Sequence, residues 1–297
     1  MKNTLFTGAA TAMITPFCGG RVDFDTLGLL IDRQIELGIN ALVVAATTGE
    51  NPTLTDEEHL NVVRYSVERV AGRVPVIAGT GSNNTEHACF MTRESDRMGA
   101  DGLLLVTPYY NKTTQQGLIE SFRTIAACTK KPCILYNVPS RTGLNMLPAT
   151  VAELAKTENI TGIKEASGNI TQIADIAALC GDCIDIYSGN DDQIVPILAL
   201  GGKGVISTLS NCVPAETAAL CRDWFEGRHE QALAAQLRYL SFIHSLFCEV
   251  NPIPVKAACA AMGLCGDSVR LPLVPMGAEN RAKMLEIMKG LGLLPEA

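Results

Sequence analysis

The chain has 297 residues with 47% hydrophobic and 19% charged side chains, a composition that excludes a disordered protein and suffices for one large core. A formal net charge of −7 argues against nucleic acid and acidic membrane surfaces as partners. It leaves an acidic small molecule open, because the local field of a site can oppose the global one. No apolar run reaches the roughly 18 residues of a membrane span, and the irregular cysteine spacing is not that of a disulfide framework, so the expected compartment is the cytoplasm.

Met1 to Phe17 carries one Lys and an apolar stretch interrupted by Thr and Pro; it reads as a first strand, Ala9–Ile14, rather than a signal peptide. A helical pattern follows at Leu27–Leu37, closed by Gly38, and a second strand at Ala41–Val44. Thr55, with Glu58 three residues on, forms a capping box ahead of the helix Glu57–Val70, which Gly72 ends. Strand Val74–Ala78, helix Glu86–Met98 closed by Gly99, strand Gly102–Val106 and helix Gly117–Cys128 repeat the alternation. Strands Cys133–Tyr136, Ile160–Ile163, Ile184–Tyr187 and Gly204–Ile206 complete it, with a helix at Ile170–Leu179. The strands recur every 20 to 35 residues or about that, the size of a βαβ unit, and several are apolar without alternation, as when both faces are buried. Eight such units predict an α/β fold closed into a (β/α)8 TIM barrel. Helix Pro214–Phe225 ends the barrel, and a helical tail follows at Glu230–Phe247, Pro254–Met262 and Ala278–Leu291. The expected organisation is a catalytic barrel over 1–225, with 226–297 as a C-terminal helical extension packed on it.

Cys180-Gly181-Asp182-Cys183 has the spacing of redox and zinc sites, but no second pair and no neighbouring His completes a cage. It reads as a helix-to-strand turn, and no metal site is expected.

Such barrels carry their catalytic groups at the carboxyl ends of the strands. The second strand leads into Ala46-Thr47-Thr48-Gly49-Glu50, hydroxyls and a glycine that suit a carboxylate or phosphate but also occur in ordinary turns. The fourth leads into Thr107-Pro108-Tyr109-Tyr110, and the fifth into Tyr136-Asn137-Val138-Pro139-Ser140-Arg141-Thr142-Gly143. These phenols and the guanidinium are either functional or simply rim packing and a solvated charge. Lys164 ends the sixth strand and precedes Glu165-Ala166-Ser167-Gly168. A lysine of pKa about 10.4 is neutral to only about four parts in ten thousand at pH 7, and desolvation can turn it into a nucleophile for ketones. The residues alone leave that reading beside a second one, a lysine whose head reaches water or pairs with a carboxylate. Lys203 precedes the last strand and belongs to the opposite face, and Lys256 falls in the tail, away from the strand ends.

Together with Asn251-Pro252-Ile253-Pro254-Val255-Lys256, these motifs resemble the dihydrodipicolinate synthase family of pyruvate-dependent Schiff-base aldolases, related to N-acetylneuraminate lyase; the resemblance spans essentially the whole chain. It implies a lyase that condenses pyruvate with L-aspartate 4-semialdehyde in lysine and diaminopimelate biosynthesis. Lys164 would form the imine, Tyr136 would shuttle protons, and Thr47 would relay between Tyr136 and Tyr110, the latter reaching in from a neighbouring subunit. Thr48 would hold the pyruvate carboxylate and Arg141 that of the second substrate; Gly189 and Ile206 match backbone contacts near the imine. The resemblance implies no cofactor, since the imine does what a metal would do for an enolate. It implies small-molecule partners and a dimer of dimers. The alternative is a pyruvate-dependent aldolase acting on a sugar acid or 4-hydroxy-2-oxo acid; the sugar-acid aldolases do not usually carry Arg141 in that loop. Two departures stand out. Ala46 replaces a frequent Gly. At the site where lysine inhibits many relatives, His59, Asn83 and Tyr109 match, but Asn51, Asp56 and His87 do not; His87 stands where a Glu grips the ammonium, which implies weak or absent lysine feedback.

Overall fold

The structure, a computed structural model, describes residues 4–294; residues 1–3 of the expected barrel and 295–297 of the expected extension lie outside the described residues. Eight parallel strands close into a barrel in chain order: β1 (Gly8–Ala12), β2 (Ala41–Val44), β3 (Val76–Gly79), β4 (Gly102–Val106), β5 (Cys133–Asn137), β6 (Ile160–Glu165), β7 (Asp185–Ser188) and β8 (Gly204–Ser207), with β8 pairing back onto β1. Closure requires a close approach at the seam. A Cβ at Gly204, whose φ is +151°, would lie 1.7 Å from the Gly8 carbonyl oxygen, so only glycine fits there.

The strands read as continuous apolar runs because both faces are buried. One alternating set, including Ala10, Val43, Ile77, Leu104, Ile134 and Ile206, fills the barrel; the other, including Leu42, Val44, Leu103, Leu135 and Ile163, meets the helices. Tyr187 closes the floor: its ring stacks on Phe6 at 4.3 Å and its hydroxyl donates to the Phe6 carbonyl at 2.7 Å.

The outer layer begins with α1 (Phe24–Glu36), α2 (Asp56–Val70), α3 (Thr85–Arg97) and α4 (Gln115–Ala126). The Thr55–Glu58 capping box forms as its spacing requires, and Gly38, Gly72 and Gly99 take φ of 84°, 75° and 92°. Next come α5 (Pro139–Thr142), α6 (Pro148–Leu154), α7 (Ile170–Cys180), α8 (Ile194–Ala199) and α9 (Pro214–Phe225). The helices α5, α6 and α8 were not expected; at 4, 7 and 6 residues they are too short to display an apolar period.

The expected tail helix Glu230–Phe247 is two helices, α10 (His229–Arg238) and α11 (Leu240–Ser245), broken at Tyr239. No Gly or Pro marks the break; it is tertiary. Gln236 ties α10 to the barrel by donating to the Asp191 carbonyl at 2.7 Å and accepting from Val195 N–H at 3.2 Å, while α11 buries Phe242 and Ile243. Then come α12 (Ile253–Ala261) and α13 (Ala278–Gly290), whose Val255, Cys259, Met284 and Met288 join the apolar layer around the barrel. Cys180 ends α7 and Cys183 lies exposed before β7, a helix-to-strand turn. Among the described residues no helix is long and apolar enough to cross a membrane.

Candidate active site

Parallel register sets the centre of the site. Lys164 on β6 stands beside Tyr136 on β5 and Tyr187 on β7, so these three side chains share one row and one face, the barrel interior. Lys164 is 6% exposed, and its Nζ lies 4.4 Å from the centre of the Tyr136 ring. Burial lowers the amine from its ordinary 10.5 to about 8; Asp191 opposes this by attraction, and Arg141 adds a smaller lowering. Burial pushes the Tyr136 phenol up to about 12, with Arg141 acting against it.

The next residue along each strand points outward and clamps the pair. The Glu165 carboxylate accepts from the Asn137 amide at 3.1 and 3.2 Å, from Ser167 N–H at 2.7 Å and from Gln172 Nε2 at 3.4 Å. Asn137 also donates to Asn145 Oδ1 at 2.9 Å. A fully satisfied network of this kind fixes the two strand ends against each other. Gly189 lets the end of β7 close in: a Cβ there would sit 2.6 Å from Ala166 Cβ, and its N–H donates to the Glu165 carbonyl at 2.8 Å. Asp191, two residues further, is buried and accepts from Thr208 N–H and Leu209 N–H at 2.9 Å each, joining the loops after β7 and β8.

Above Lys164 opens a cavity of about 430 Å³ at the carboxyl end of the barrel. Lys164, Tyr136, Thr48, Arg141 and Gly189 all line it, together with Asn251, Thr208, Glu249 and Phe247. A larger cavity of about 550 Å³ lies at the amino-terminal end, between Ala126 and Cys183, and contains none of the strand-end residues; chemistry and not volume picks the site. The other predicted residues sit elsewhere. Thr47 faces a smaller adjoining cavity of about 130 Å³, which shares Arg141 and Asn251 with the first. Ile206 is fully buried in the barrel beneath the site, and Tyr110 stands outside at 92% exposure with φ of 67°.

The tail contributes more than the strand-end rule allows. Asn251 Nδ2 donates to Thr48 Oγ1 at 3.0 Å, and the Asn251 carbonyl accepts from Arg141 at 3.2 Å. Lys256, set aside as remote, reaches the turn after β2: its Nζ lies 2.5 Å from Glu50 Oε1 and 2.7 Å from the Ser268 carbonyl, fully buried. Its Nζ is taken up by Glu50 and the Ser268 carbonyl and it does not line the cavity, whereas Lys164 does. Asp191 was within reach of the strand-end rule, as a polar run follows β7; Asn251 was not, since nothing local says that the tail folds over the mouth.

Residues 5–291 match the model of the Dihydrodipicolinate synthetase family. The chain belongs to the dihydrodipicolinate synthetase family. A 4-hydroxy-tetrahydrodipicolinate synthase of Alkaliphilus oremlandii is 54% identical over 285 residues, covering 96% of this chain and 98% of that one. The crystal structure of dihydrodipicolinate synthase from Aquifex aeolicus superposes with a TM-score of 0.96 at 43% identity, covering 98% of this chain and 100% of that one. The chloride-inhibited enzyme of Acinetobacter baumannii, crystallised with pyruvate, gives 0.96 at 38% identity, with the same coverage. Among the positions at which this member of the dihydrodipicolinate synthetase family was expected to depart from lysine-sensitive relatives, His87 Nε2 lies 3.0 Å from Asp56 Oδ1, and Asn51 opens a short 3-10 turn. His59 beside them is buried, which pushes its imidazole down to about 4.

Proposed function

We infer that the chain condenses pyruvate with L-aspartate 4-semialdehyde to 4-hydroxy-tetrahydrodipicolinate, through an imine on Lys164. The observation that carries the reading is the amine itself: a lysine buried at a barrel strand end, with a pKa of about 8, on the floor of a cavity rimmed by Arg141. At pH 7 such an amine is neutral in about one molecule in ten, against about four in ten thousand for a free lysine.

The neutral amine attacks the ketone carbon of pyruvate, and the carbinolamine loses its oxygen as water. The protonated imine then draws electrons from the methyl group, whose proton leaves to give an enamine. The enamine carbon attacks the aldehyde of the second substrate, and that substrate's own amine closes the ring at the imine carbon, displacing Lys164. Tyr136, protonated because burial raises its phenol to about 12, gives a proton to the departing oxygen and takes one back. A phenol this weakly acidic is a poor base alone, so it needs the relay assigned to Thr47 and to Tyr110 of a second copy. Thr48 Oγ1, fixed by Asn251, receives the pyruvate carboxylate, and the Gly189 and Ile206 backbones flank the imine. Arg141 offers its guanidinium to the carboxylate of the semialdehyde.

The test is substrate competition. With pyruvate fixed, product formation is compared for the semialdehyde and for sugar-acid aldehydes. Turnover with the semialdehyde at least a hundredfold above the sugars, by about the discrimination a buried charge pairing permits, is expected; equal or faster sugar condensation would replace this reading with that of a sugar-acid aldolase.

A further inference from the structure

The turn Thr48-Gly49-Glu50 is held at both ends by one segment of the tail. At one end Asn251 donates to Thr48 Oγ1 at 3.0 Å; at the other Lys256, on the first turns of α12, pairs with Glu50 at 2.5 Å. Between them the Gly49 carbonyl accepts from Thr15 at 2.7 Å. Glu50 sits in the left-handed region at φ 56° although it is not glycine, a conformation that the surroundings must impose. Its second carboxylate oxygen accepts from Arg270 N–H at 3.0 Å, and Lys256 and Arg270 lie 4.1 and 4.5 Å from the centre of the Phe17 ring.

A buried ion pair is a poor way to seat a helix. Desolvating both charges offsets their attraction, and apolar side chains of similar size usually stabilise as well or better. What apolar contacts lack is direction. Lys256 and Glu50, at 0% and 1% side-chain exposure, join the turn to the tail by directed bonds: Lys256 donates to Glu50 and to the Ser268 carbonyl, and Glu50 accepts from Arg270 N–H.

We propose that Lys256 and Glu50 are positioning residues for the keto-acid carboxylate subsite: their ion pair fixes the backbone of the Thr48 turn from behind, without touching substrate. The proposal rests on the assignment of pyruvate to that turn. It makes the tail part of the substrate site, because the Asn251 carbonyl also takes the Arg141 hydrogen bond and so links the two carboxylate subsites through one segment.

The deciding variant replaces the pair by apolar groups, Lys256→Met with Glu50→Leu, compared with the parent in thermal unfolding and in pyruvate dependence of borohydride-trappable imine. The double variant is expected to unfold close to the parent's temperature, with the pyruvate concentration for half-maximal trapping raised about tenfold or more, as small misplacements of a binding group do. The trapping rate at saturating pyruvate and its pH limb near 8 stay with the parent, because Lys164 is untouched. A folded double variant whose half-saturation is within about twofold of the parent overturns the proposal and leaves the pair a packing feature. Should the double variant not fold, Glu50→Asp keeps the charge and shortens its reach: raised half-saturation with an unchanged saturated rate supports the proposal, and unchanged half-saturation overturns it. A parent that traps no pyruvate at all overturns the reaction assignment, and the proposal with it.

Discussion

At the scale of the residue, Lys164 pays for its reactivity with stability. Its pKa falls from 10.5 to about 8 on folding, so between those values the unfolded chain binds the extra proton, and stability rises with pH across that window. Lys164→Met is therefore expected to stabilise the protein at pH 7, by on the order of 3 kcal/mol from the size of the shift, and the gain should vanish above about pH 10.5. Equilibrium unfolding at both pH values checks the sign. The same shift sets an activity limb: the pyruvate-dependent rate of imine formation should climb about tenfold per pH unit below 8 and level off above it. Tyr136→Phe, keeping the ring against the amine but losing the proton, should lower kcat by about a hundredfold or more. Lys164 was legible as an expensive lysine at a strand end. Asp191 was within reach of the same rule, since a polar run follows β7, but its bonds to the Thr208 and Leu209 N–H groups were not, because they join it to the loop after β8.

At the scale of the element, strand ends, mouth loops and the tail helices Pro254–Met262 and Ala278–Leu291 were legible, and the tail's contact with the mouth was not. β-rich apolar runs and capping signals define eight units because each is local, as in Thr55 and Glu58. Short helices such as α6 and α8 carry too few residues to show a period, and the break at Tyr239 is made by Gln236 reaching the barrel. The long-range hold of Asn251 on Thr48, 203 residues apart in sequence, leaves no local trace. The loop after β5 yields a separable prediction. Arg141→Ala should raise KM for the semialdehyde by about 10- to 100-fold, the worth of a charged hydrogen bond, while pyruvate trapping persists. Steady-state kinetics against each substrate in turn will show whether the losses separate.

At the scale of the whole molecule, the chain alone leaves Tyr110 at 92% exposure, and its expected role needs a second copy. Mixing inactive Lys164→Ala with weakened Tyr110→Phe chains should regenerate activity, since a hybrid pair has one site with both residues intact; random pairing should restore about a quarter of the parent sites. Activity no higher than the sum of the separate variants would place Tyr110 outside the reaction. The expected lysine site would likewise lie between copies of the chain. Lysine is expected to inhibit weakly or not at all, because His87 brings no negative charge and the nearby Asp56 carboxylate is already paired with it; half-inhibition at submillimolar lysine would reject this. The most direct test of the central claim remains the amine. Borohydride reduction with pyruvate, followed by peptide mapping, should find a carboxyethyl adduct on Lys164 and none on Lys256 or Lys203, and Lys164→Ala should be inactive. No adduct, an adduct on another lysine, or an active Lys164→Ala protein would contradict it.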